Sequence, residues 1–433
     1  MRRQSNGQSP ENSFQVLERK LGSMQFFKVK TVEETFALID EKIGKIKETE
    51  IRPLDEALHY ILAEDITAEE NVPGFDRSTV DGYAVIAKDT YGSSESMPGF
   101  LNVAGEVHMG EEAVKAVGRG EAIYVPTGGM LPPGSDSVLM IEHCEEIGGL
   151  LNTYKQIAPG ENVIRKGEDI KAGEVLLSQG SKLRPQELGA LAALGIFEVK
   201  VYRKLKAAYL SSGDEIVPFQ TKTLETGQIR DINYLTVKGL ANEWDIEVIY
   251  GGITRDDYQE FSAKARELYE QADCLILSGG SSVGTKDYTT EVIQSLGDPG
   301  VFVHGISIKP GKPTILAVAE GKPVIGLPGH PASAMIIFKL FGERVFRRLK
   351  GERIQHKPER ISARIVKNIA SSPGRSDYIR VRLEEKDGEW WAEPIIGKSG
   401  LITTLVKSDG IVEIVSEKEG ISQGEYVPVI LTR

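Results

Sequence analysis

Cys274-Leu-Ile-Leu-Ser-Gly-Gly-Ser-Ser-Val-Gly284 is the stretch on which the fold turns. A short apolar strand runs directly into a turn of glycines and hydroxyls, and a helical pattern begins after Asp287. Such a turn presents backbone N–H groups to an anion, and the helix behind it adds the positive end of its dipole, so a phosphate group is the natural occupant. Working outward, Leu205 to Leu210 reads as a strand closed by Ser211-Ser212-Gly213-Asp214-Glu215. A helix near Ile232 to Glu243, a strand Ile246 to Tyr250 and a helix near Asp257 to Gln271 lead back to Cys274, which is a βαβαβ order and hence a mainly parallel sheet. Two short strands follow, near Thr314 to Val318 and Pro323 to Ile325, then Gly326-Leu-Pro-Gly-His-Pro331 and one long helix from Pro331 to Leu349. Three loops therefore follow strands at their C-terminal ends, where open α/β sheets bind ligands, and they are expected to converge on one crevice. Neither a Walker A motif nor a G-x-G-x-x-G fingerprint is present, which removes support for ordinary ATPase and dinucleotide-dehydrogenase readings.

At 433 residues the chain exceeds what one hydrophobic core sustains, so two to four domains are expected. Residues 1–23 are polar and patternless, and Gly22-Ser23 before Met24 resembles a cloning scar, so they are set aside as a leader or tag. Thr31 and Glu34 make a capping box, Phe36, Ile39, Ile43 and Ile46 keep helical spacing, and a second helix is expected near Pro53. From Asn71 to about Ile164 the pattern turns to short β-rich runs broken by Pro-Gly and Gly-Gly pairs, and a helix resumes from Pro185 to Gly195. The expected division is 24–70 with 165–204 as a linking domain, 71–164 as a β-rich insert, 205–350 as the α/β domain and 351–433 as a small C-terminal β-barrel.

Asp and Glu number 63 against 52 Lys and Arg, so the net charge of −11 has the wrong sign for attracting nucleic acid or anionic lipid. An anionic substrate must then be held by local cations. Those stand at Arg165-Lys166, at Lys309-Pro310-Gly311-Lys312-Pro313 and at Pro373-Gly374-Arg375, where proline and glycine framing fixes the backbone beneath Lys309 and Lys312. Carboxylates punctuate the same region: Glu215, Asp256 and Asp287, with Asp81 and Glu168-Asp169 from the earlier segments. Oxygen donors of this kind suit Mg²⁺, which takes one or two carboxylates plus substrate phosphates and water. The six histidines have no metal-ligand spacing, and His330 reads as a turn residue. Two cysteines in dissimilar contexts exclude a disulfide framework and fit a reducing cytosol, and no run of about 18 apolar residues marks a membrane span.

Ser78-Thr-Val-Asp-Gly-Tyr-Ala84, Gly167-Glu-Asp-Ile170, the Ser-Gly-Asp-Glu loop, Ser-Gly-Gly-x-Ser-Val-Gly-x-x-Asp-Tyr, Lys-Pro-Gly-Lys-Pro and Gly-Leu-Pro-Gly-x-Pro occur in that order, and together they resemble the MoeA and gephyrin E-domain family. The resemblance implies a three-layer α/β domain, an elongated linking domain and a homodimer whose active site lies where one subunit's α/β domain faces the other's insert. It implies an enzyme, a molybdopterin molybdenumtransferase, that inserts molybdate into adenylylated molybdopterin with Mg²⁺ and releases AMP in the cytoplasm, in contact with other molybdenum-cofactor enzymes. On that reading Asp81, Asp169, Glu215, Asp256 and Asp287 are catalytic, and Asp287 and Glu215 hold Mg²⁺. Ser278, Gly279, Gly280, Ser282 and Gly284 cradle phosphate, Lys309 and Lys312 hold an oxyanion, and Pro328 and Pro331 fix the turn bordering the insertion pocket. Thr127, Arg165, Arg375 and Ser399 are the remaining substrate and anion contacts. The chain departs from the pattern at Val80, at His330, at His304 where a lysine is usual, and in the shortened basic run Arg165-Lys166. Two rivals remain: the single-domain molybdopterin adenylyltransferase, which lacks the insert and the barrel, and a scaffold that has lost catalysis.

Overall fold

A computed structural model describes residues 29–279, 288–353 and 360–432, and the chain forms two compact units, Thr49–Val201 and the remainder. In the larger unit a six-stranded sheet has the order Ile246–Thr254, Leu205–Ser212, Cys274–Ser278, Lys322–Leu327, Ile315–Ala319, Pro299–His304. The first four strands are mutually parallel, Ile315–Ala319 runs against them and Pro299–His304 runs with them again, so the sheet is mainly parallel. Ala208, Leu210, Leu275 and Leu277 turn to one face and pack against Phe261, Ala265, Leu268, Val292 and Ile293 of the helices Tyr258–Gln271 and Tyr288–Leu296. Tyr209 alternates with these and faces the other way, its ring 5.6 Å from that of Tyr234 on the helix Ile232–Glu243. Helices thus cover both faces, and each fully buried leucine contributes about 2 kcal/mol.

The sequence pattern of a single helix from Pro331 is interrupted: α-helical Pro331–Ile337 and Glu343–Leu349 flank a π turn, Phe338–Gly342. A side chain at Gly342 would start 2.6 Å from the Phe338 ring, so glycine makes room for the widened turn. The helix expected near Pro53 is absent. Thr49–Pro53 is a strand and Leu54–Glu56 a single 3-10 turn, because the Leu54 N–H donates to the carbonyl of distant Phe197 and His59, at φ +69°, cannot continue a right-handed helix.

The C-terminal strands Ser376–Lys386, Glu389–Pro394, Arg360–Ile365, Tyr426–Leu431 and Gly410–Ile414 pair in that order, and the last returns to the first. The result is a closed five-stranded barrel filled by Ala363, Ile365, Val381, Ala392, Val412, Ile414 and Val429. The short strand Ile308–Lys309 runs parallel beside Ser376–Lys386 and ties the α/β domain to it. In the Thr49–Val201 unit a six-stranded sheet spans Gly82 to Thr153, and Tyr60 and Leu62 share a separate core with Leu183, Leu191, Val199 and Val201. Among the described residues no helix is long and apolar enough to cross a membrane.

Candidate active site

The C-terminal ends of three parallel neighbours, Leu205–Ser212, Cys274–Ser278 and Lys322–Leu327, lie on one edge of the sheet, and the register pairs Ser211 with Ser278. Gly279 has φ +109°, and a side chain there would start 2.0 Å from the Ser212 carbonyl oxygen, so only glycine lets the two loops approach. Asn233, in the first turn of Ile232–Glu243, donates its amide N–H groups to Ser278 Oγ at 3.2 Å and to the Gly329 carbonyl at 2.8 Å. One buried amide therefore joins two of the three loops. The first loop is held by Asp256, whose Oδ1 accepts from Ser212 Oγ at 2.9 Å and whose N–H donates to Asp214 at 3.3 Å. Glu215 is exposed beside them. Gly280, Ser282, Gly284 and Asp287 lie outside the described residues.

Among the described residues no three His, Cys, Asp or Glu side chains gather as a metal-ligand cluster. The side-chain donors on the described loops of this edge are oxygens, the dispersed carboxylates of Asp214, Glu215 and Asp256 and the hydroxyls of Ser212 and Ser278. That chemistry fits a hard cation that completes its shell with substrate oxygens and water, and it does not fit a soft one.

Beside this edge lies a cavity of 910 Å³ between the α/β domain and the barrel. Lys309 and Lys312 reach it from the turn after Ile308–Lys309, Arg375 and Ser399 from the barrel, and His330 from the loop framed by Pro328 and Pro331. The lysine turn is pinned: Gly311, at φ +111°, sits where a side chain would meet Ile337 at 2.4 Å, and the Ile306 N–H donates to the Lys312 carbonyl. Asp377, 1 % exposed, accepts from Arg375 Nε at 2.9 Å and lies 3.9 Å from Lys309 Nζ, so it aims two cations at once. Ser399 is fixed through its carbonyl, which accepts the Ala332 N–H in the first turn of the helix opened by Pro331. Among the described residues the charged side chains lining the cavity are Lys309, Lys312, Arg375, Arg380 and Lys398 against Asp377, a strong local excess of positive charge on an acidic protein.

In the other unit Asp81 Oδ1 accepts the Thr127 N–H at 2.8 Å, and both residues are exposed. Gly82 beside it is obligatory, since a side chain would start 1.8 Å from the Leu139 carbonyl. Asp169 lies on an exposed turn held by its N–H to the Val72 carbonyl. Arg165 donates to Asp76 at 2.8 Å and to the Asp136 carbonyl at 3.0 Å. Burial raises the Asp76 pKa, but the Lys166 N–H and Arg165 outweigh it and hold the carboxyl below its ordinary value, so the charge of Arg165 is answered within the chain.

Sequence reasoning passed over Asn233, Asp231, Asp377 and Arg380. Asp231 had a local signal, as the N-cap before a helix starting at Ile232, where it accepts the Tyr234 N–H. Asn233 and Arg380 had none, because what makes them notable is burial against remote partners.

Family models match most of the chain. Residues 30–195 match the MoeA N-terminal region (domain I and II), 208–348 the probable molybdopterin binding domain and 362–432 the MoeA C-terminal region (domain IV). The molybdopterin molybdenumtransferase of Haemophilus influenzae is 36 % identical over 404 residues, covering 92 % of this chain and 98 % of that protein. A putative molybdopterin biosynthesis protein of Methanocaldococcus jannaschii is 37 % identical over 397 residues, covering 90 % and 93 %. Among solved structures, two molybdopterin biosynthesis MoeA proteins of Pyrococcus horikoshii superpose with TM-scores of 0.74 and 0.80 at 39 % and 32 % identity, covering 94 % and 93 % of this chain and all of each. The chain is therefore an enzyme of the MoeA family, to which the molybdopterin molybdenumtransferases belong.

Proposed function

We propose that this enzyme inserts molybdate into adenylylated molybdopterin, using Mg²⁺ and releasing AMP, to give the molybdenum cofactor. The observation that carries the reading is the cationic cavity: Lys309 with Lys312, Arg375 and Ser399, from three separate stretches of sequence that the resemblance marked for an anion, line one space. There the lysines and Arg375 offset the charge of the oxyanion, and the Ser399 hydroxyl donates a hydrogen bond to it. The carboxylate edge next to the cavity takes the other half of the chemistry. Ser278 and Gly279 begin a phosphate cradle, Asp256 holds the first loop through Ser212, and Glu215 with Asp287 would hold Mg²⁺, which supplies charge neutralisation as the phosphoanhydride breaks. Pro328 and Pro331 fix the turn between edge and cavity.

Asp81, Thr127 and Asp169 act on this reading from the second subunit of a homodimer, as the family resemblance implies, with Arg165 as a further anion contact. The proposed setting is the cytosol, consistent with two cysteines that are both unpaired, and handover of the product to other molybdenum-cofactor enzymes follows from the reaction.

The deciding assay is AMP release from adenylylated molybdopterin with Mg²⁺, with and without molybdate, followed by reconstitution of a molybdenum apoenzyme. Molybdate-dependent AMP release and a revived apoenzyme establish the transferase. Tight substrate binding without AMP under any oxyanion overturns it in favour of a scaffold.

A further inference from the structure

The helix that opens at Pro331 changes geometry halfway, and its two halves answer to different neighbours. Pro331–Ile337 belongs to the cavity: the Ala332 N–H donates to the Ser399 carbonyl at 3.0 Å, and Ser333, 4 % exposed, lines the space. One helical turn on, Ile337 is fully buried beneath the lysine turn. Glu343–Leu349 is held elsewhere. Arg344 pairs with Asp40 of Val32–Lys42, Arg348 Nη2 donates to the Asp40 carbonyl at 2.9 Å, and the Leu349 carbonyl accepts the Ile46 N–H at 2.8 Å.

Between them the π turn Phe338–Gly342 carries one residue more than an α turn. It therefore rotates the second half by about 100° against a continued α-helix. Without that rotation the two sets of anchors could not be met together. Seating Arg344 and Arg348 on Asp40 would turn Ser333 and Ile337 away from the cavity and the lysine turn. π turns are rare within helices and recur at functional sites.

The lysine turn needs what Ile337 supplies. Thr314 Oγ1 donates to the Gly311 carbonyl at 2.6 Å and the Ile306 N–H donates to the Lys312 carbonyl at 2.9 Å, which fixes the path of the backbone. Its height over the helix is set from below, where Cγ1 and Cδ1 of Ile337 are the atoms nearest the bare side of Gly311.

We infer that the π turn is a phase adapter and that Ile337 is the positioning residue of the lysine turn. By filling the space under Gly311 it sets how far Lys309 and Lys312 reach into the cavity. The inference rests on the reading of this turn as an anion contact and adds to it the device that places it. Ile337 itself touches no ligand; it acts through Gly311.

The test is calorimetric titration of the full chain with molybdate at constant ionic strength, alongside thermal unfolding. Ile337→Ala empties the space under Gly311 and should weaken molybdate binding by about fivefold or more. Ile337→Val keeps a methyl group at the Cγ1 position and should stay within about twofold of wild type. Val345, 1 % exposed in the half that does not line the cavity, is the matched control. Val345→Ala should lower the melting temperature yet leave molybdate binding within about twofold of wild type. Gly342→Ala sets a methyl group against the Phe338 ring, disturbs the π turn without altering Ile337, and should weaken binding by about threefold or more. Full affinity in Ile337→Ala, or an equal loss in Val345→Ala, overturns the role of Ile337, and full affinity in Gly342→Ala overturns the adapter. If Ile337→Ala does not fold, Gly342→Ala decides both under the same criteria. Lys312→Gln separates this inference from the reading beneath it: binding lost there but kept in Ile337→Ala removes only the positioning role. If wild type binds no molybdate, the anion reading falls, and this inference with it.

Discussion

Asp231 is 3 % exposed and accepts four hydrogen bonds, from the Tyr234 N–H, Ser211 Oγ at 2.9 Å, and the hydroxyls of Tyr250 at 3.1 Å and Tyr209 at 3.5 Å. It joins a helix cap to the strand end that carries Ser212, so its loss should loosen both. Asp231→Ala is expected to cost about 3 kcal/mol, roughly one for the cap and the rest for charge-assisted bonds left unmade, read by urea unfolding. Asp273 gives a pH-dependent counterpart. Burial raises its pKa, but two hydrogen bonds from Arg203 and the Lys206 N–H outweigh this and hold it below the ordinary value. A depressed folded pKa contributes stability that is complete above the unfolded value, about 3.9, and is lost as pH falls through the folded one. Asp273→Asn should therefore cost about 2 kcal/mol at pH 7, with the difference from wild type shrinking below about pH 4. Lys309 and Lys312 were legible in the sequence because their proline and glycine frame is local. Asn233 was not, since its partners Ser278 and Gly329 stand 45 and 96 residues away.

Elements whose signals are local read correctly for the same reason. Thr31 and Glu34 form the reciprocal capping box expected of them, Thr31 Oγ1 accepting the Glu34 N–H at 3.1 Å and the Glu34 carboxylate accepting the Thr31 N–H at 2.9 Å. Thr31→Ala should lower stability by about 1 kcal/mol in chemical denaturation while Thr31→Ser restores most of it. If Thr31→Ala is neutral, the helix Val32–Lys42 is held by packing alone. Pro185 and Pro331 likewise open their helices at the first position. The missing helix near Pro53 had the same kind of signal, but the Leu54 N–H found a remote carbonyl at Phe197 instead. The C-terminal strands could be recognised singly from their turn signals. That they close into a barrel depends on Gly410–Ile414 returning to Ser376–Lys386, a pairing that no local pattern encodes.

For the whole molecule, strand order and charge carry the argument. The βαβαβ pattern was enough to place three loops on one edge, because parallel strands put their C-terminal ends together. The cavity was harder to foresee, since it needs the barrel beside the α/β domain. If the proposed dimer shares its sites between subunits, Asp81→Asn and Lys309→Gln should each be nearly inactive alone. Mixing them with subunit exchange should restore about a quarter of wild-type turnover, since half the re-paired dimers are mixed and each has one intact site. No recovery after exchange is confirmed by mass would place each site within one subunit.

The closed ring of strands has a consequence for how this protein opens. A sheet with free rims lets its outer amides trade hydrogen for deuterium one strand at a time, but here each of the five strands of the ring is bonded on both sides. Label should therefore enter the barrel's amides together, when the ring breaks as a unit, and later than it enters the outermost strands of the six-stranded sheet, Ile246–Thr254 and Pro299–His304.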